Sequence, residues 1–477
     1  MIGYSKADTA SKGSNMKHYD IAVIGAGSGG LKAALVAQQQ GARVVLLEKN
    51  KIGGDCTHTG CIPSKTFINA ANRFHGMRHA EDLGLPALNP AHALDFAAVM
   101  EHVNDVVQDI YLHEWPLQYD SSGVDVIVDS SGAKFLNQHE IQIGDETLRA
   151  DHSILCTGSS PREANKVGKE ELVFLNNENF WDIRELPHSI VFLGGGVISA
   201  ELGQALTRFG SHVTIIDRNP RILKILDEEV GGKITEIFKR EGLHFFTDAE
   251  INSCEALADN KTRINLQQAD GNKIVTAEAI FVALGRNPNV SGMDLKQAGI
   301  EYDAMTGIQT NEFLQTTAEN IYACGDVTSK AKFTHVAGYQ ATVCVKNIID
   351  GNKTNNDLSV LPWVIFTEPE IAHVGLSETK ARETLGQVQV VKVDATIDRF
   401  ITEGQTEGML KVVLDEQDRV IGADAIGAHA GEWIQLLTMA IKHNLSPQDF
   451  SETIVAYPTH SDIVRKAFNR FSKSKTA

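Results

Sequence analysis

Two cysteines, Cys56 and Cys61, lie in a short loop whose residues 53–65 read GGDCTHTGCIPSK. Such a pair can store two electrons by closing a disulfide, supply zinc ligands, or be inert and buried. No second Cys/His pair at a suitable spacing accompanies it in the sequence, which disfavours zinc, and no metal site is assigned. Pro63 suits the first turn of a helix, so Cys61 is predicted at a helix N-terminus, where the dipole stabilises a thiolate. These features favour a redox-active pair.

A glycine-rich fingerprint precedes the cysteines. The sequence GAGSGG begins at Gly25 after an apolar run, and a small-residue helix is predicted over 31–40. Gly25 permits the tight strand-to-helix turn, Gly27 lets the backbone approach a pyrophosphate, and Gly30 lets the helix pack close to the sheet. The next apolar run ends at Glu48, at the offset where an acid holds ribose hydroxyls. Together these features predict a dinucleotide-binding unit rather than a glycine-rich turn without a ligand.

The same pattern occurs a second time. The sequence GGGVIS begins at Gly194, with Gly196 as the next fingerprint glycine. Ser199 stands in place of the third glycine, which a small side chain permits. A helix is predicted over 200–209, and the following apolar run ends at Asp217. Two dinucleotide sites in one chain indicate two nucleotides that pass electrons between them.

These motifs resemble those of the class I pyridine nucleotide-disulfide oxidoreductases, which include dihydrolipoamide dehydrogenase, glutathione reductase and mercuric reductase. The resemblance runs from about Lys17 to the C-terminus. Residues 156–158 resemble the family's A-T-G turn, residues 283–289 match its A-x-G-R-x-P-N segment, and residues 320–327 match the segment whose Asp binds the flavin's ribityl chain. The resemblance implies FAD and NAD as cofactors, with NADP kept open. The predicted cofactor-binding residues are Gly25, Gly27, Gly30, Glu48, Thr157, Gly158, Gly194, Gly196, Asp217, Gly285, Gly325 and Asp326.

The resemblance also implies roles for residues around the cysteine loop. Cys61 would be the charge-transfer thiol against the flavin, and Cys56 the interchange thiol that attacks or releases substrate. Lys65 lies one helical turn beyond Cys61. In the family this lysine pairs with a glutamate near the flavin, and Glu201 matches that partner. The alternative for these two residues is an ordinary Lys and Glu on helix surfaces.

The implied fold class is α/β, with two Rossmann-like nucleotide-binding domains and a C-terminal α+β dimerisation domain. Residues 17–161 and 280–350 are predicted to form the FAD-binding domain, and residues 162–279 the NAD(P)-binding domain. Residues 351–477 are predicted to form the interface domain of a homodimer. Residues 1–16 are polar and small and are predicted to be a disordered tail.

Composition narrows the classes of partner. The net charge of −17 disfavours nucleic acid and anionic membrane surfaces. The sequence contains no run of about 18 apolar residues, so no membrane span is expected. Six cysteines in 477 residues do not form a disulfide framework, and a cytoplasmic location is expected.

One segment departs from the family pattern. The disulfide reductases of the family carry a His-Pro segment near the C-terminus, followed by a glutamate, and that histidine takes the proton from the interchange thiol of the partner subunit. Here residues 456–462 read AYPTHSD, so Tyr457 replaces the base and Asp462 replaces the glutamate. A phenol with a pKa near about 10 accepts protons poorly at neutral pH. His460 is predicted to lie in a helix after Pro458, either as an exposed histidine or as the catalytic base.

A tyrosine at this position resembles the mercuric-reductase branch, as do residues 333–339 and 361–363. Mercuric reductases end with an extra cysteine pair, because Hg(II) is held and passed on by soft thiolates. Residues 471–477 contain no cysteine. The chain therefore resembles these enzymes in its other motifs but lacks the C-terminal cysteine pair with which they hold Hg(II) and pass it on.

The choice of nicotinamide nucleotide depends on the end of the second ribose-binding strand. The carboxylate of Asp217 would accept two ribose hydroxyls and repel a 2′-phosphate. Arg218, Arg221 and Lys224 follow closely and keep NADPH open, although they could equally lie in a solvated loop. NADH is the favoured nucleotide.

The sequence thus predicts a homodimeric FAD enzyme that passes electrons from NAD(P)H to the Cys56–Cys61 pair and on to an unidentified disulfide or small electrophile. Dihydrolipoamide dehydrogenase itself is the first alternative, which Tyr457 weakens. A flavoprotein whose cysteine pair senses oxidants is the second alternative, and slow turnover of a disulfide substrate would distinguish it from an enzyme.

Overall fold

The structure, a computed structural model, describes residues 16–86, 94–114, 122–164, 172–259, 261–328 and 331–476. The tail predicted over residues 1–16 lies outside these described residues except for its last position. Within them, the chain divides into two compact units. The first unit comprises the described residues of Met1–Gly54, Glu114–Ser159 and Pro288–Asn356, and the second comprises those of Asp55–His113, Ser160–Asn287 and Asp357–Ala477.

The helices and strands are numbered here in chain order. The α-helices are α1 Ser28–Gln39, α2 Gly54–His58, α3 Cys61–Arg78, α4 Phe96–Glu114, α5 Val197–Phe209, α6 Glu228–Glu241, α7 Thr334–Asp350, α8 Glu378–Leu385, α9 Asp398–Thr402, α10 Ala430–Lys442, α11 Pro447–Ser451 and α12 Asp462–Thr476. The strands are β1 Lys17–Ile24, β2 Val44–Glu48, β3 Asp125–Val128, β4 Ala133–Phe135, β5 Glu140–Ile143, β6 Glu146–Leu155, β7 Ser159–Pro161, β8 Ser189–Leu193, β9 His212–Ile216, β10 His244–Phe246, β11 Glu250–Ala256, β12 Thr262–Gln268, β13 Gly271–Ala277, β14 Ala279–Val282, β15 Arg286–Pro288, β16 Tyr302–Asp303, β17 Gly307–Ile308, β18 Ile321–Ala323, β19 Trp363–Ile365, β20 Glu370–Gly375, β21 Gln389–Asp394, β22 Met409–Leu414 and β23 Val420–Gly427.

The first unit is built on one mixed sheet with the strand order β3-β2-β1-β6-β5-β4, and β18 pairs with β6. The pairs β1–β2, β1–β6, β2–β3 and β6–β18 are parallel. Residues 21–24 of β1 are all buried. A parallel strand that is covered on both faces has no solvent-facing side, which explains why this segment is a continuous apolar run. The helix α1 packs against α7, and both follow glycine-containing segments at the ends of strands.

Among its described residues, the second unit contains three sheets of three or more strands. A parallel sheet, β10-β9-β8-β14, carries the second glycine fingerprint, and β11-β12-β13 form an antiparallel sheet. The C-terminal part is a five-stranded antiparallel sheet, β19-β20-β23-β22-β21. Its core includes Trp433 of α10 and Phe468 of α12. The predicted fold class, two Rossmann-like folds with a C-terminal α+β part, is confirmed.

Two predicted helix starts were too late. The helix α1 begins at Ser28 rather than at residue 31, and α5 begins at Val197 rather than at residue 200. In each case the glycine before the helix, Gly27 or Gly196, is its extended N-cap residue. Since the helix starts inside the glycine loop, its unpaired N–H groups lie where a phosphate would bind.

Among the residues that the structure describes, no helix combines the length and the apolar composition that a bilayer span requires.

Candidate active site

The first glycine loop is shaped by close backbone contacts within the first unit. Gly25 has a φ of +98°, and a Cβ there would lie 2.5 Å from the carbonyl oxygen of Cys156. A Cβ on Gly30 would lie only 1.7 Å from the carbonyl oxygen of Gly25. At Gly27 the nearest contact of a Cβ would be the Cα of Gly54, at 3.8 Å. Gly25 and Gly30 are therefore required by the fold, whereas Gly27 leaves room for a ligand to approach the backbone.

Glu48 braces this loop. One carboxylate oxygen accepts a hydrogen bond from the Ala26 amide at 2.7 Å, and the other accepts one from the Asn50 amide at 2.8 Å. These bonds hold the acid at the carboxyl end of β2, beside the glycine loop. An acid in this position suits ribose hydroxyls, while the N-terminus of α1 suits a pyrophosphate.

Two further segments predicted to hold the flavin nucleotide lie in the same unit. The side-chain amide of Asn289 donates a hydrogen bond to the carbonyl oxygen of Thr157 at 2.9 Å, and the Thr157 hydroxyl donates to the carbonyl oxygen of Asn289 at 2.8 Å. The backbone amide of Asn289 donates to the carbonyl oxygen of Gly158 at 3.0 Å. Asp326 accepts a hydrogen bond from the Ser159 hydroxyl at 2.6 Å. Gly325 precedes it with a φ of +76°, a conformation that glycine adopts without strain. The residues present thus fit a dinucleotide.

The second glycine loop repeats these features in the second unit. Gly194 has a φ of +102°, and a Cβ there would lie 2.5 Å from the carbonyl oxygen of Ala283. Around Gly196 no heavy atom of the described residues would lie within 4 Å of a Cβ. The Ser199 hydroxyl donates to the Gly194 carbonyl at 2.5 Å, so this loop accommodates a serine where the first loop requires Gly30.

Asp217 occupies the position in this loop that Glu48 has in the first. One carboxylate oxygen accepts from the Gly195 amide at 2.5 Å, and the other accepts from the Asn219 amide at 2.7 Å. Gly285, at the start of the predicted A-x-G-R-x-P-N segment, has a φ of +102° and accepts a hydrogen bond from the Arg162 amide at 3.0 Å. The second loop therefore also fits a dinucleotide.

The cations that follow Asp217 are not equivalent. The Arg221 guanidinium donates to the carbonyl oxygens of Leu223, Lys224 and Leu226, at 3.3, 3.2 and 2.6 Å. These bonds hold Arg221 inside its own loop. Arg218 and Lys224 are exposed. Arg221, in contrast, is half-buried.

The cysteine loop lies in the second unit, apart from its first two residues. The helix α3 begins at Cys61, as predicted, with Gly60 as its N-cap residue, and Cys56 lies in the short helix α2. Both cysteines are half-buried. A helix N-terminus stabilises a thiolate at its first residue, which supports the predicted reactivity of Cys61.

Side chains that the sequence did not single out hold this loop in place. The Trp181 indole donates to the carbonyl of Thr59 at 3.1 Å. The guanidinium of Arg286 bonds Asp55, the residue before Cys56. His58, two residues after Cys56, lies 5.3 Å from the ring of Tyr111. Trp181 lies 122 residues from Thr59, so sequence spacing contains no signal for this contact.

Lys65 and Glu201 form the predicted ion pair. The helices α3 and α5 pack through Phe67 and Phe209, whose ring centres are 5.1 Å apart. This packing brings Lys65 Nζ to 2.8 Å from the Glu201 carboxylate. Glu201 is 5% exposed and also accepts a hydrogen bond from the Phe366 amide at 2.8 Å. The alternative of a helix-surface glutamate is therefore wrong, while the catalytic role of the pair stays a prediction.

The C-terminal segment differs from its prediction in one respect. The helix α12 begins at Asp462, so His460 lies in the turn before it and not in a helix that follows Pro458. Asp462 is the first residue of α12, and it accepts a hydrogen bond from Arg465 Nε at 2.6 Å. Because its carboxylate is tied to Arg465, Asp462 orients a residue of its own helix.

Tyr457 is 69% exposed, and its hydroxyl donates to the Asp398 carboxylate. This hydrogen bond, together with the negative charge of Asp398, raises the pKa of Tyr457 above its ordinary value. Tyr457 is therefore a hydrogen-bond donor at neutral pH. Its partner lies 59 residues earlier in the chain and was not identified from the sequence.

His460 is not an exposed histidine. Its side chain is 14% exposed, and Nε2 lies 2.8 Å from the Glu403 carboxylate. The ring packs against Phe400 and His429, with ring centres 4.9 and 5.0 Å apart. Arg399 pairs with the same carboxylate. The structure thus gives His460 a carboxylate partner, Glu403, that the sequence analysis missed.

Residues 19–341 match the family described as pyridine nucleotide-disulphide oxidoreductase, and residues 361–468 match the dimerisation domain of the same family. A mercuric reductase of Bacillus cereus is 31% identical over 458 residues, which cover 95% of this chain and 72% of that protein. A dihydrolipoyl dehydrogenase of Bacillus subtilis (strain 168) is 32% identical over 455 residues, which cover 94% of this chain and 95% of that protein.

Among solved structures, the Cu(II) complex of the HOCl-induced flavoprotein disulfide reductase RclA from Escherichia coli superimposes with a TM-score of 0.85. It is 25% identical to this chain, and the match covers 95% of this chain and 100% of that one.

Proposed function

The chain belongs to the pyridine nucleotide-disulphide oxidoreductase family and is a flavoprotein disulfide reductase, and we propose that it passes electrons from NADH to a thiophilic metal ion or a similar small electrophile. The proposed electron carrier on the protein is the Cys56–Cys61 pair. Members of the family use FAD and NAD(P)H. FAD, when bound, relays two electrons between the nicotinamide and the cysteine pair.

The remaining residues are proposed to bind and orient. The loops that begin at Gly25 and Gly194 bind the two pyrophosphates through helix N-termini. Glu48 and Asp217 bind ribose hydroxyls while they brace those loops. Lys65, held at 2.8 Å by buried Glu201, keeps a positive charge fixed on α3, the helix that begins at Cys61.

NADH is proposed over NADPH because of the surroundings of Asp217. A 2′-phosphate would approach the Asp217 carboxylate, and the cost of that repulsion must be offset by cations. Arg221 donates to the carbonyls of its own loop, which ties up donors that a phosphate would otherwise use. Only exposed Arg218 and Lys224 are left for that purpose among the three cations.

The hydrogen bond from Tyr457 to Asp398 is the observation that carries the choice of acceptor. Exchange between a dithiol and a disulfide requires a group that accepts and returns a proton at the interchange thiol. Tyr457, with its raised pKa, does not accept one at neutral pH. A soft metal ion binds two thiolates directly and takes electrons from them, so its reduction does not depend on a base at this position.

The comparisons support the same choice. Mercuric reductases are among the relatives, and the similar RclA structure is a Cu(II) complex. Residues 361–468 match a dimerisation domain, and we propose a homodimer.

The test is a screen of the FAD-loaded protein for oxidation of NADH and NADPH. The acceptors are Hg(II), Cu(II), lipoamide, glutathione disulfide, a quinone and oxygen. We expect metal-dependent oxidation of NADH that is lost in Cys56→Ser, and slow reduction of lipoamide. Lipoamide reduction with the highest kcat/KM of the series would contradict the proposal.

Dihydrolipoamide dehydrogenase remains a second candidate, because His460 is hydrogen-bonded to a carboxylate in the manner of a catalytic base. General-base help is worth about 10²–10⁴-fold. If His460 is the base, wild type reduces lipoamide fast and His460→Ala loses most of that rate. If our proposal holds, wild type is slow and Tyr457→His accelerates the lipoamide reaction.

A further inference from the structure

Three of the six cysteines form a cluster inside the first unit, away from the Cys56–Cys61 sequence. Cys156, Cys324 and Cys344 are 8%, 1% and 0% exposed. The sulfur atoms of Cys156 and Cys324 are 3.4 Å apart, although 168 positions separate the two residues in the chain. The proposed function uses none of these sulfur atoms.

Strand register holds Cys156 and Cys324 opposite each other. The strands β6 and β18 are parallel, with Ile154 opposite Tyr322 and Leu155 opposite Ala323. Cys156 and Cys324 are the next residues, and the Cys324 amide donates to the Leu155 carbonyl at 3.0 Å. Neighbouring strands lie about 4.8 Å apart, within the range of about 4.4–6.8 Å between Cα atoms that a disulfide spans. The backbone therefore holds the pair at a separation suited to a disulfide.

The surroundings make Cys324 the more nucleophilic of the two. A Cβ on Gly29 would lie 3.2 Å from the Cys324 sulfur, so this sulfur touches the first turn of α1, where the helix dipole favours negative charge. Hydrogen bonds from Cys156 and from Cys344 lower the pKa of the Cys324 thiol. Burial raises the pKa of Cys344, which therefore keeps its proton.

We propose that Cys156 and Cys324 form a second redox-active dithiol, which a small hydroperoxide oxidises to a disulfide. The Cys324 thiolate attacks a peroxide oxygen, which gives a sulfenic acid and releases the other oxygen as water or an alcohol. The Cys156 thiol then attacks that sulfur, forms the S–S bond and displaces the sulfenic oxygen as water. Two thiols and one peroxide thus give one disulfide, one water and one water or alcohol.

The position of this pair links it to the predicted flavin segments. Cys156 directly precedes Thr157 and Gly158, and Cys324 directly precedes Gly325 and Asp326. Closing the bond shortens the S–S distance from 3.4 Å to about 2.0 Å and ties the two segments covalently. Throughout the described residues, no group of three or more His, Cys, Asp and Glu side chains is arranged to hold a metal ion, which favours a disulfide over a metal site for this cluster.

The experiment uses the FAD-loaded Cys56→Ser/Cys61→Ser protein, in which four of the six cysteines remain. The protein is treated with hydrogen peroxide, alkylated under denaturing conditions and digested with trypsin without reduction. Cys156, Cys324 and Cys344 fall in separate tryptic peptides, residues 150–162, 297–330 and 333–346. We expect loss of two thiols per chain and one dominant cross-link between peptides 150–162 and 297–330, which dithiothreitol reverses.

The matched controls are single serine substitutions in that background. Cys324→Ser should abolish the cross-link and the paired loss of thiols, whereas Cys344→Ser should retain both. The proposal is overturned by cross-links through Cys344 that are as abundant as the expected one. It is equally overturned by intact thiols at a peroxide dose that fully oxidises Cys56 and Cys61 in wild type. Because this background lacks the catalytic cysteines, neither result depends on the proposed acceptor.

Discussion

Replacing Glu201 by alanine is expected to destabilise the second unit by roughly 1–4 kcal/mol. The carboxylate is 5% exposed and accepts from Lys65 Nζ and from the Phe366 amide, both at 2.8 Å. Loss of the acceptor leaves the Phe366 N–H without its carboxylate partner, which costs about 1–3 kcal/mol. The Lys65 side chain is 35% exposed, so water screens the ion pair, and its loss adds only about 1 kcal/mol or less.

Glu201→Gln is the matched variant, because it keeps an oxygen that can accept from the Phe366 amide and removes only the charge. Its cost should be about 1 kcal/mol or less. The measurement is the midpoint of urea unfolding of the FAD-loaded protein, followed by tryptophan fluorescence. Because the ion pair is proposed to orient Lys65, kcat for NADH oxidation should fall about tenfold or more in both variants.

The two variants distinguish structural from catalytic effects. We expect glutamine to lower kcat while it leaves the midpoint close to that of wild type, and alanine to lower both. Equal midpoints for alanine and glutamine would show that the bond to the Phe366 amide contributes nothing. Wild-type kcat in the glutamine variant would refute a role for the Lys65–Glu201 charge pair in turnover.

Three other predictions concern nucleotide choice, flavin contact and pH. Asp217→Ala should narrow the preference of the enzyme for NADH over NADPH in kcat/KM. A tenfold preference of wild type for NADPH, which corresponds to about 1.4 kcal/mol, would contradict the proposal that Asp217 selects NADH. Two-electron reduction of the FAD-loaded protein should give a long-wavelength charge-transfer band that Cys61→Ser abolishes while FAD stays bound. A band that survives in Cys61→Ser would contradict the role of Cys61 as the charge-transfer thiol. Hydrogen bonds from Lys392 and Lys411 lower the pKa of Glu229 below its ordinary value of 4.5, so their stabilisation is present above that value and is lost as pH falls through the folded-state pKa. Between about pH 5 and about pH 3 the urea midpoint of Glu229→Gln should therefore fall less than that of wild type. If, at low salt, the midpoints of the two proteins fall equally with pH, the ion pairs of Glu229 do not contribute to the pH dependence of stability.

Local spacing accounts for what was predicted correctly. Strand, glycine loop and acid follow one another within a short stretch of chain, so the positions of Gly25 and Glu48 could be predicted from their neighbours alone. The start of α3 at Cys61 followed from Pro63 for the same reason. The Lys65–Glu201 pair, 136 positions apart, was predicted only through resemblance to a family, because no local pattern relates the two.

The helix starts show the limit of local reasoning. Glycine, serine and β-branched residues have low helix propensity, so local composition places residues 28–30 of α1 and residues 197–199 of α5 in the loops. The sequence pattern predicts a helix directly after Pro458, yet α12 begins only at Asp462. Helix ends depend on which backbone groups find partners in three dimensions, and local composition predicts that poorly.

The sequence by itself predicted the fold class, through its resemblance to a family, and located the two glycine loops and the cysteine loop, because each loop is a pattern of neighbouring residues. Only the tertiary structure decided which carboxylates meet Tyr457 and His460, since Asp398 and Glu403 come from a helix and its end 59 and 57 positions earlier. It also decided that Cys156 and Cys324 meet, because the parallel register of β6 and β18 brings together residues that are 168 positions apart. Such contacts follow from how sheets and helices pack, and the spacing of residues along a chain does not encode them individually.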